Sequence, residues 1–350
     1  MPRKLSARAW LTILTVVLLV VVVFFTRHEV YKAWLLLDKL NLWILALIVP
    51  VQLFSYYCTG GMIFTYLRSK GNLKDMSHAQ MTRTALELNF VNHILPSGGA
   101  AGFSYLSWVL ARHGVSAGRS TTAQIVRFAL TFISFVLIMI IAIIFLIIDH
   151  RISRLIIILC ALLVVLCVGG TLLVIYVLGN SKRSGRFANW VTRTGNRIVS
   201  FVTRGRKPEV FKAEKIKTFF RQIHQDIQAI RDDKRILRKP FIWAILANVS
   251  DVALIWIAFW SLGTMVNPAV LFVAFGVSSI ASVISVAPGG AGVYEAIMIT
   301  FLASSNVPAD VAIAGTLIAR VTLVLGTILF GYIFYQLTVI KYGKATPQRQ

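Results

Sequence analysis

Apolar residues along this chain come in long unbroken runs, without the short alternating or three-and-four spacing of a soluble domain. Runs at about 10–25, 42–67, 120–148, 154–178, 241–262 and 309–338 reach or approach the ~18 residues that carry a helix across a hydrocarbon core. They predict six spanning helices. Two further apolar segments, at about 78–112 and 269–305, are broken near the middle by Pro96-Ser97-Gly98-Gly99-Ala100-Ala101-Gly102 and by Pro288-Gly289-Gly290-Ala291-Gly292. Backbone freed at membrane depth is tolerated only inside protein or beside a water-filled cavity. Paired interruptions in corresponding halves point to a transport site. Each break is followed by a short amphipathic run and then a long apolar helix with one arginine: Arg127 lies 31 residues after Pro96, and Arg320 lies 32 after Pro288.

Composition narrows the class. A chain that is 57% hydrophobic and 14% charged, with a mean hydropathy of +0.76, is not a soluble globule. The run from Trp10 to Phe25 follows Arg3, Lys4 and Arg8 as a signal sequence would, but no small-x-small cleavage site precedes Thr26-Arg27-His28, so an uncleaved first helix with a cytoplasmic N-terminus is expected. Lys and Arg total 36 against 13 Asp and Glu. That excess sits in loops beside apolar spans, where retention on the cytoplasmic side and contact with anionic headgroups explain it; nucleic acid is not an expected partner. Cys58, Cys160 and Cys167 lie within apolar runs with no CxxC or Cys/His pairing, which predicts neither disulfide nor metal site.

The basic loops decide the topology. If the broken segments crossed fully, the stretch Ser181 to Lys239, dense in Lys and Arg, would lie outside, against the positive-inside bias. If each is a re-entrant hairpin returning to its own side, then the clusters Arg3/Lys4/Arg8, Arg68/Lys70/Lys74, Arg112/Arg119, the long loop and Lys341/Lys344/Arg349 all become cytoplasmic. The expected fold is therefore an all-α polytopic membrane protein of about six spanning helices plus two re-entrant hairpins. It is read as one membrane domain over 1–350, in a cell membrane, with both termini cytoplasmic. Residues 42–148 and 241–338 form an inverted repeat, joined by a basic cytoplasmic connector at 180–239. Within the connector, Ile216, Phe219, Phe220, Ile223, Ile227 and Ile230 recur at helical spacing between Pro208 and Asp232. This segment either lies on the membrane interface or packs on the ends of its own bundle. Arg27 to Asn41 reads as a shorter interfacial piece on the other face.

A charge at the centre of a spanning helix costs ~2.5–3.5 kcal/mol on insertion scales, so each needs a partner or an aqueous cavity. Within spans these are Glu87, Arg127, Asp251, Glu295 and Arg320. Glu295, three residues after Gly292, is placed to meet Arg320, either as a structural salt bridge or as a headgroup or ion-coupling site. Arg127 occupies the equivalent place in the first half, where Tyr105 or a neighbour replaces the glutamate. Glu87, Asn89, Asn92 and His93 lie on the arm entering the first break and could line a polar cavity, with Asn89, Asn92 and His93 on one face; His93 alone reads as a packing residue. Asp251 is open between pairing with an arginine and contact with substrate. Neither glycine loop continues as Gly-Lys-Ser/Thr, which excludes a P-loop. Gly98, Gly99, Gly289 and Gly290 can instead expose backbone N–H groups and helix N-termini, which attract phosphate, beside arginines whose planar forks donate two hydrogen bonds to it. No catalytic constellation or cofactor motif is present in the sequence, and the polar inventory fits a binding cavity better than an enzyme.

The run Pro288-Gly289-Gly290-Ala291-Gly292-Val293-Tyr294-Glu295-Ala296 with Arg320 downstream resembles the second signature of the lysylphosphatidylglycerol synthase transmembrane-region family, the flippase-like domain proteins. Asn92 through Gly102 with Arg127 resembles the first, and the likeness covers about Trp10 to Val339. The resemblance implies a lipid-translocating module like that of the multiple peptide resistance factor, here stand-alone and without the synthase domain. Archaeal members are associated with lipid-linked glycan pathways, so the cargo is open. Phe103-Ser104-Tyr105 follows the first break where many members carry an acidic residue, which weighs against two equivalent sites. The leading expectation is a lipid translocase for a phospholipid or other anionic lipid, in which Arg127 and Arg320 receive the headgroup phosphate, Glu295 gates or pairs with Arg320, and Asn92 and Glu87 line the approach. The alternative is a non-transporting membrane partner of an envelope enzyme; homo-oligomers are left open, and an enzyme acting on a lipid-linked sugar or phosphate is the third reading. Cysteines introduced beside His113 and beside Asn306 should label from opposite faces of the membrane; labelling from the same face would rule out the inverted arrangement.

Overall fold

The computed structural model describes residues 40–94, 100–148, 154–202, 213–284 and 292–342. Helices account for nearly all of them, and no strand occurs among the described residues. In chain order they are α1 (Leu42–Ala46), α2 (Ile48–Ser69), α3 (His78–Ile94), α4 (Ala100–Ala111), α5 (Ala117–Ile148), α6 (Arg154–Leu178), α7 (Ser181–Val202), α8 (Ala213–Asp232), α9 (Arg238–Ser261), α10 (Pro268–Ile284), α11 (Val293–Ser304) and α12 (Ala309–Tyr342). Local sequence sets several starts. Asn41 caps α1, its Oδ1 accepting from the amides of Trp43 and Ile44, and Asn267 does the same for Ala269 at the head of α10, where Pro268 takes a position whose amide needs no partner.

Five stretches among the described residues are long and apolar enough to cross a membrane: Leu42–Ser69, Ala117–Phe145, Ala161–Leu178, Lys234–Ser261 and Ala309–Lys341. They correspond to five of the six expected spans; the sixth, at 10–25, lies outside the described residues. Large apolar side chains on α5, α6 and α12 face outward, among them Ile141, Phe145, Leu173 and Leu329, as a hydrocarbon solvent requires. The chain is a multi-pass membrane protein.

Two sets of four helices match in order and length. They are α2 with α9 (22 and 24 residues), α3 with α10 (17 each), α4 with α11 (12 each) and α5 with α12 (32 and 34). At 1.5 Å per residue, a 12-residue helix reaches about 18 Å and a 17-residue helix about 25 Å, short of the ~30 Å hydrocarbon thickness. The packing is reciprocal. α2 and α9 lie together at the centre, α3 packs on the long helix of the second set, and α10 packs on the long helix of the first. Both cross-contacts use the same device: the Phe90 ring of α3 sits over Gly331 of α12, and the Phe135 ring of α5 over Gly276 of α10, so that backbones approach closely where lipid supplies no hydrophobic drive.

Polar side chains fasten the centre. Gln52 of α2 donates to the Leu323 carbonyl of α12 at 2.9 Å and to Tyr56 Oη at 2.9 Å, while Tyr56 and Thr327 share a 2.5 Å hydroxyl contact. Asn248 of α9 donates to Ser134 of α5 at 2.6 Å.

The connector forms two amphipathic helices, α7 and α8. The expected apolar face of α8 turns inward: Phe220 and Ile223 are buried against Leu178 and Ala188, and the His224 ring pairs with the Leu178 carbonyl at 2.9 Å. Packing on its own bundle is therefore the arrangement present. α7, which the sequence did not single out as a helix, exposes Phe187 and Trp190. Asp226 lies 3.7 Å from Arg119 at the head of α5; burial raises its carboxyl above the ordinary value, against the lowering pull of Arg119 and Lys70.

Gly331→Leu and Gly276→Leu should each destabilise the detergent-solubilised protein by about 1–3 kcal/mol through overpacking, read as a lower thermal midpoint. Gly170→Leu, at a position where a Cβ meets nothing within 4 Å, should leave the midpoint unchanged.

Candidate functional site

The second break delivers its chain into α11 through Gly292, whose φ of +84° lies in the left-handed region that glycine enters without penalty. Glu295, in the first turn, folds back so that its Oε2 accepts from the Gly292 amide at 2.6 Å, the carboxylate half of a capping box. Its other oxygen, Oε1, stands 2.8 Å from Arg320 Nε on α12. The Tyr294 ring lies 5.0 Å from the same guanidinium. Glu295 is buried, so the pair anticipated from spacing is present, and the glutamate both starts a helix and neutralises a cation.

The first half has no such arrangement. Arg127 sits on α5 with its guanidinium over the Phe128 ring at 4.3 Å, and its Nε, shielded from solvent, has no hydrogen-bond partner among the described residues. One turn earlier Gln124 is 1% exposed, and neither end of its carboxamide has a partner among the described residues. Residues three apart share a helix face, so two unsatisfied polar groups stand together. The second half echoes this with Thr316, 1% exposed and without a partner at Oγ1 among the described residues, one turn before Arg320. Each such group costs about 1–3 kcal/mol when left unmade.

Asn92, at the end of α3, fills the space over Gly102, where a Cβ would collide with its carboxamide, and its Oδ1 has no hydrogen-bond partner among the described residues. Gly98, Gly99, Gly289 and Gly290, like the His93 side chain, lie outside the described residues. Asn89 donates to the Ala85 carbonyl of its own helix at 3.0 Å.

Glu87 is engaged by the fold itself. Its Oε1 accepts from Arg83 Nε at 2.9 Å and from the Thr338 hydroxyl of α12 at 2.6 Å, and its Oε2 accepts from the Tyr105 hydroxyl of α4 at 2.6 Å. One carboxylate thus ties α3, α4 and α12 together, at the edge of a cavity of about 60 Å³ that His113 and Lys341 also line. Tyr105, the counterpart of Glu295, serves this node, and Arg127 has no carboxylate partner among the described residues. Asp251 accepts from Ser55 Oγ of α2 at 2.6 Å and makes no ion pair among the described residues.

Sequence reasoning passed over Arg83 and Gln124. Arg83 lies four residues before Glu87, the spacing of a helical ion pair, and Gln124 lies three before Arg127; both signals were present. Among the described residues no three His, Cys, Asp or Glu side chains converge as metal ligands would.

Comparison with known proteins gives the same picture. The family model described as "Lysylphosphatidylglycerol synthase TM region" matches residues 10–331. Two proteins of Methanothermobacter thermautotrophicus, each named a UPF0104 membrane protein, are similar to the chain. One is 26% identical over 264 residues, covering 73% of this chain and 71% of the relative. The other is 20% identical over 231 residues, covering 66% and 67%.

Glu87→Ala should lower the protein's stability by about 3 kcal/mol, because it strands three donors; Arg83, about a third exposed on its side chain, recovers part of its solvation. Chemical unfolding in detergent would show it, and a variant as stable as the parent would remove Glu87 from its packing role.

Proposed function

The chain belongs to the lysylphosphatidylglycerol synthase TM region family, and from that premise we propose that it is a translocase that binds the phosphate of an anionic lipid at Arg127 and passes it between leaflets. The observation that carries this reading is the asymmetry of the two arginines. Arg320 has a carboxylate at 2.8 Å, whereas among the described residues Arg127 has only an aromatic face and stands beside a Gln124 amide without a partner. An uncompensated cation among membrane helices is expensive unless something else supplies the anion. A phosphodiester fits both groups, since its oxygens accept from the guanidinium fork and from the Gln124 amide.

In this reading the two matched helix sets are an inverted repeat. The paired short helices α3–α4 and α10–α11 are re-entrant hairpins whose breaks meet between α5 and α12. Glu295 holds Arg320 closed until a phosphate competes for it. The basic connector holds the cytoplasmic face against anionic headgroups.

Full-length protein in vesicles should accelerate the transfer of fluorescent phosphatidylglycerol between leaflets. Arg127→Ala should slow it at least about tenfold, the loss of one charge-assisted hydrogen bond, and Arg127→Lys should keep part of the rate. Arg320→Ala should abolish transfer if both halves act in turn. Transfer that is unchanged in Arg127→Ala and Arg320→Ala would remove arginine from the mechanism.

A further inference from the structure

Beside Arg127 the protein carries a cavity of about 290 Å³ whose walls are almost wholly apolar. Phe103 of α4 and Phe128 of α5 form one side, Gly170 and Val174 of α6 the other, and Ile227 and Ile230 of α8 close the end that carries the connector. The hydroxyl of Thr171, which also borders it, is already spent on the Cys167 carbonyl at 2.8 Å. Ile133 and Ile175 at its rim are about half exposed, so the cavity opens sideways between two spanning helices, toward the bilayer.

Three features set it apart from ordinary outward-facing surface. It is recessed, and Gly170 opens it: a Cβ there would meet nothing within 4 Å. A helix that does not span roofs it. Above all, it adjoins the orphaned cation, since Phe128 is at once part of its wall and the ring on which the Arg127 guanidinium rests at 4.3 Å, with Phe103 stacked on that ring at 5.8 Å. An amphiphile with an anionic head and an apolar tail matches this sequence of surfaces; a soluble anion would leave the slot empty.

We propose that this slot receives one acyl chain of the lipid whose phosphate binds Arg127, and so selects for a chain-bearing lipid over a free phosphate ester. The inference rests on the headgroup reading above. It adds that recognition has two parts: a charge contact made by Arg127 and Gln124, and a chain contact made by α5, α6 and α8. The helix α8 thereby couples the basic connector to the occupied slot.

The test uses full-length protein in vesicles containing trace phosphatidylglycerol, or diacylglycerol, which has the chains but no phosphate, each with a diazirine in one acyl chain. After photolysis, peptides of α5, α6 and α8 that line the slot should carry more label than those around Leu325 and Leu329, which are exposed on α12. Gly170→Trp should cut the slot label about tenfold and leave the α12 label and the thermal midpoint unchanged; Gly170→Leu should give an intermediate loss. Label spread evenly over slot and α12, or slot label that persists in both Gly170 variants, would overturn the proposal. Arg127→Gln reads the headgroup separately: it should reduce phosphatidylglycerol labelling to the diacylglycerol level without changing the latter. Equal labelling by the two lipids in the unmodified protein, still lost in Gly170→Trp, would uphold the slot and overturn the Arg127 headgroup reading.

Discussion

A polar group held between membrane helices has no water to fall back on, and that single constraint organises this molecule. Every charge and amide carried into the bundle must find a partner from the chain, from its own helix or from a ligand. Most find one from the chain. Glu87 collects three donors from three helices, Gln52 and Asn248 stitch α2 to α12 and α9 to α5, and Asp251 takes the hydroxyl of Ser55. These bonds fix which helices are neighbours, because lipid-facing leucines and isoleucines on α5 and α6 are as well solvated by hydrocarbon as by one another.

Against that background, the groups left without partners acquire meaning. Gln124, Arg127 and Asn92 cluster in sequence around the first break and the helix that follows it, and Thr316 stands at the corresponding turn of α12. Among the described residues Glu87 is fully satisfied while Arg127 meets an aromatic ring alone, and it is this contrast that supports the proposed binding surface. The second half is the closed counterpart, where Glu295 both caps α11 and neutralises Arg320. In the proposed mechanism, these chemically unequal sites would hold a ligand strongly at one point and release it at another.

The connector belongs to this scheme as well. Its helix α8 turns its apolar face onto the bundle and closes one end of the apolar slot, while α7 presents Phe187, Trp190 and several arginines outward. Charged surface, slot and buried cation are thus contiguous through the α5–α6–α8 contacts.

The runs of apolar residues were enough to place five spanning helices within a few residues, because burial in hydrocarbon is a property of continuous composition and needs no partner. The meeting of Glu295 with Arg320 was legible for a similar reason, since it follows a spacing that recurs in the sequence. The fate of Glu87 was not legible, since it depends on Thr338, 251 residues away. Nor was the choice for α8 between lipid surface and bundle, because an amphipathic pattern states only that one face is apolar. The sequence alone thus determined what must be buried in the membrane. Which buried charges are neutralised by one another among the described residues was decided only by tertiary structure, because satisfaction of a polar group depends on distances between helices that no local pattern records.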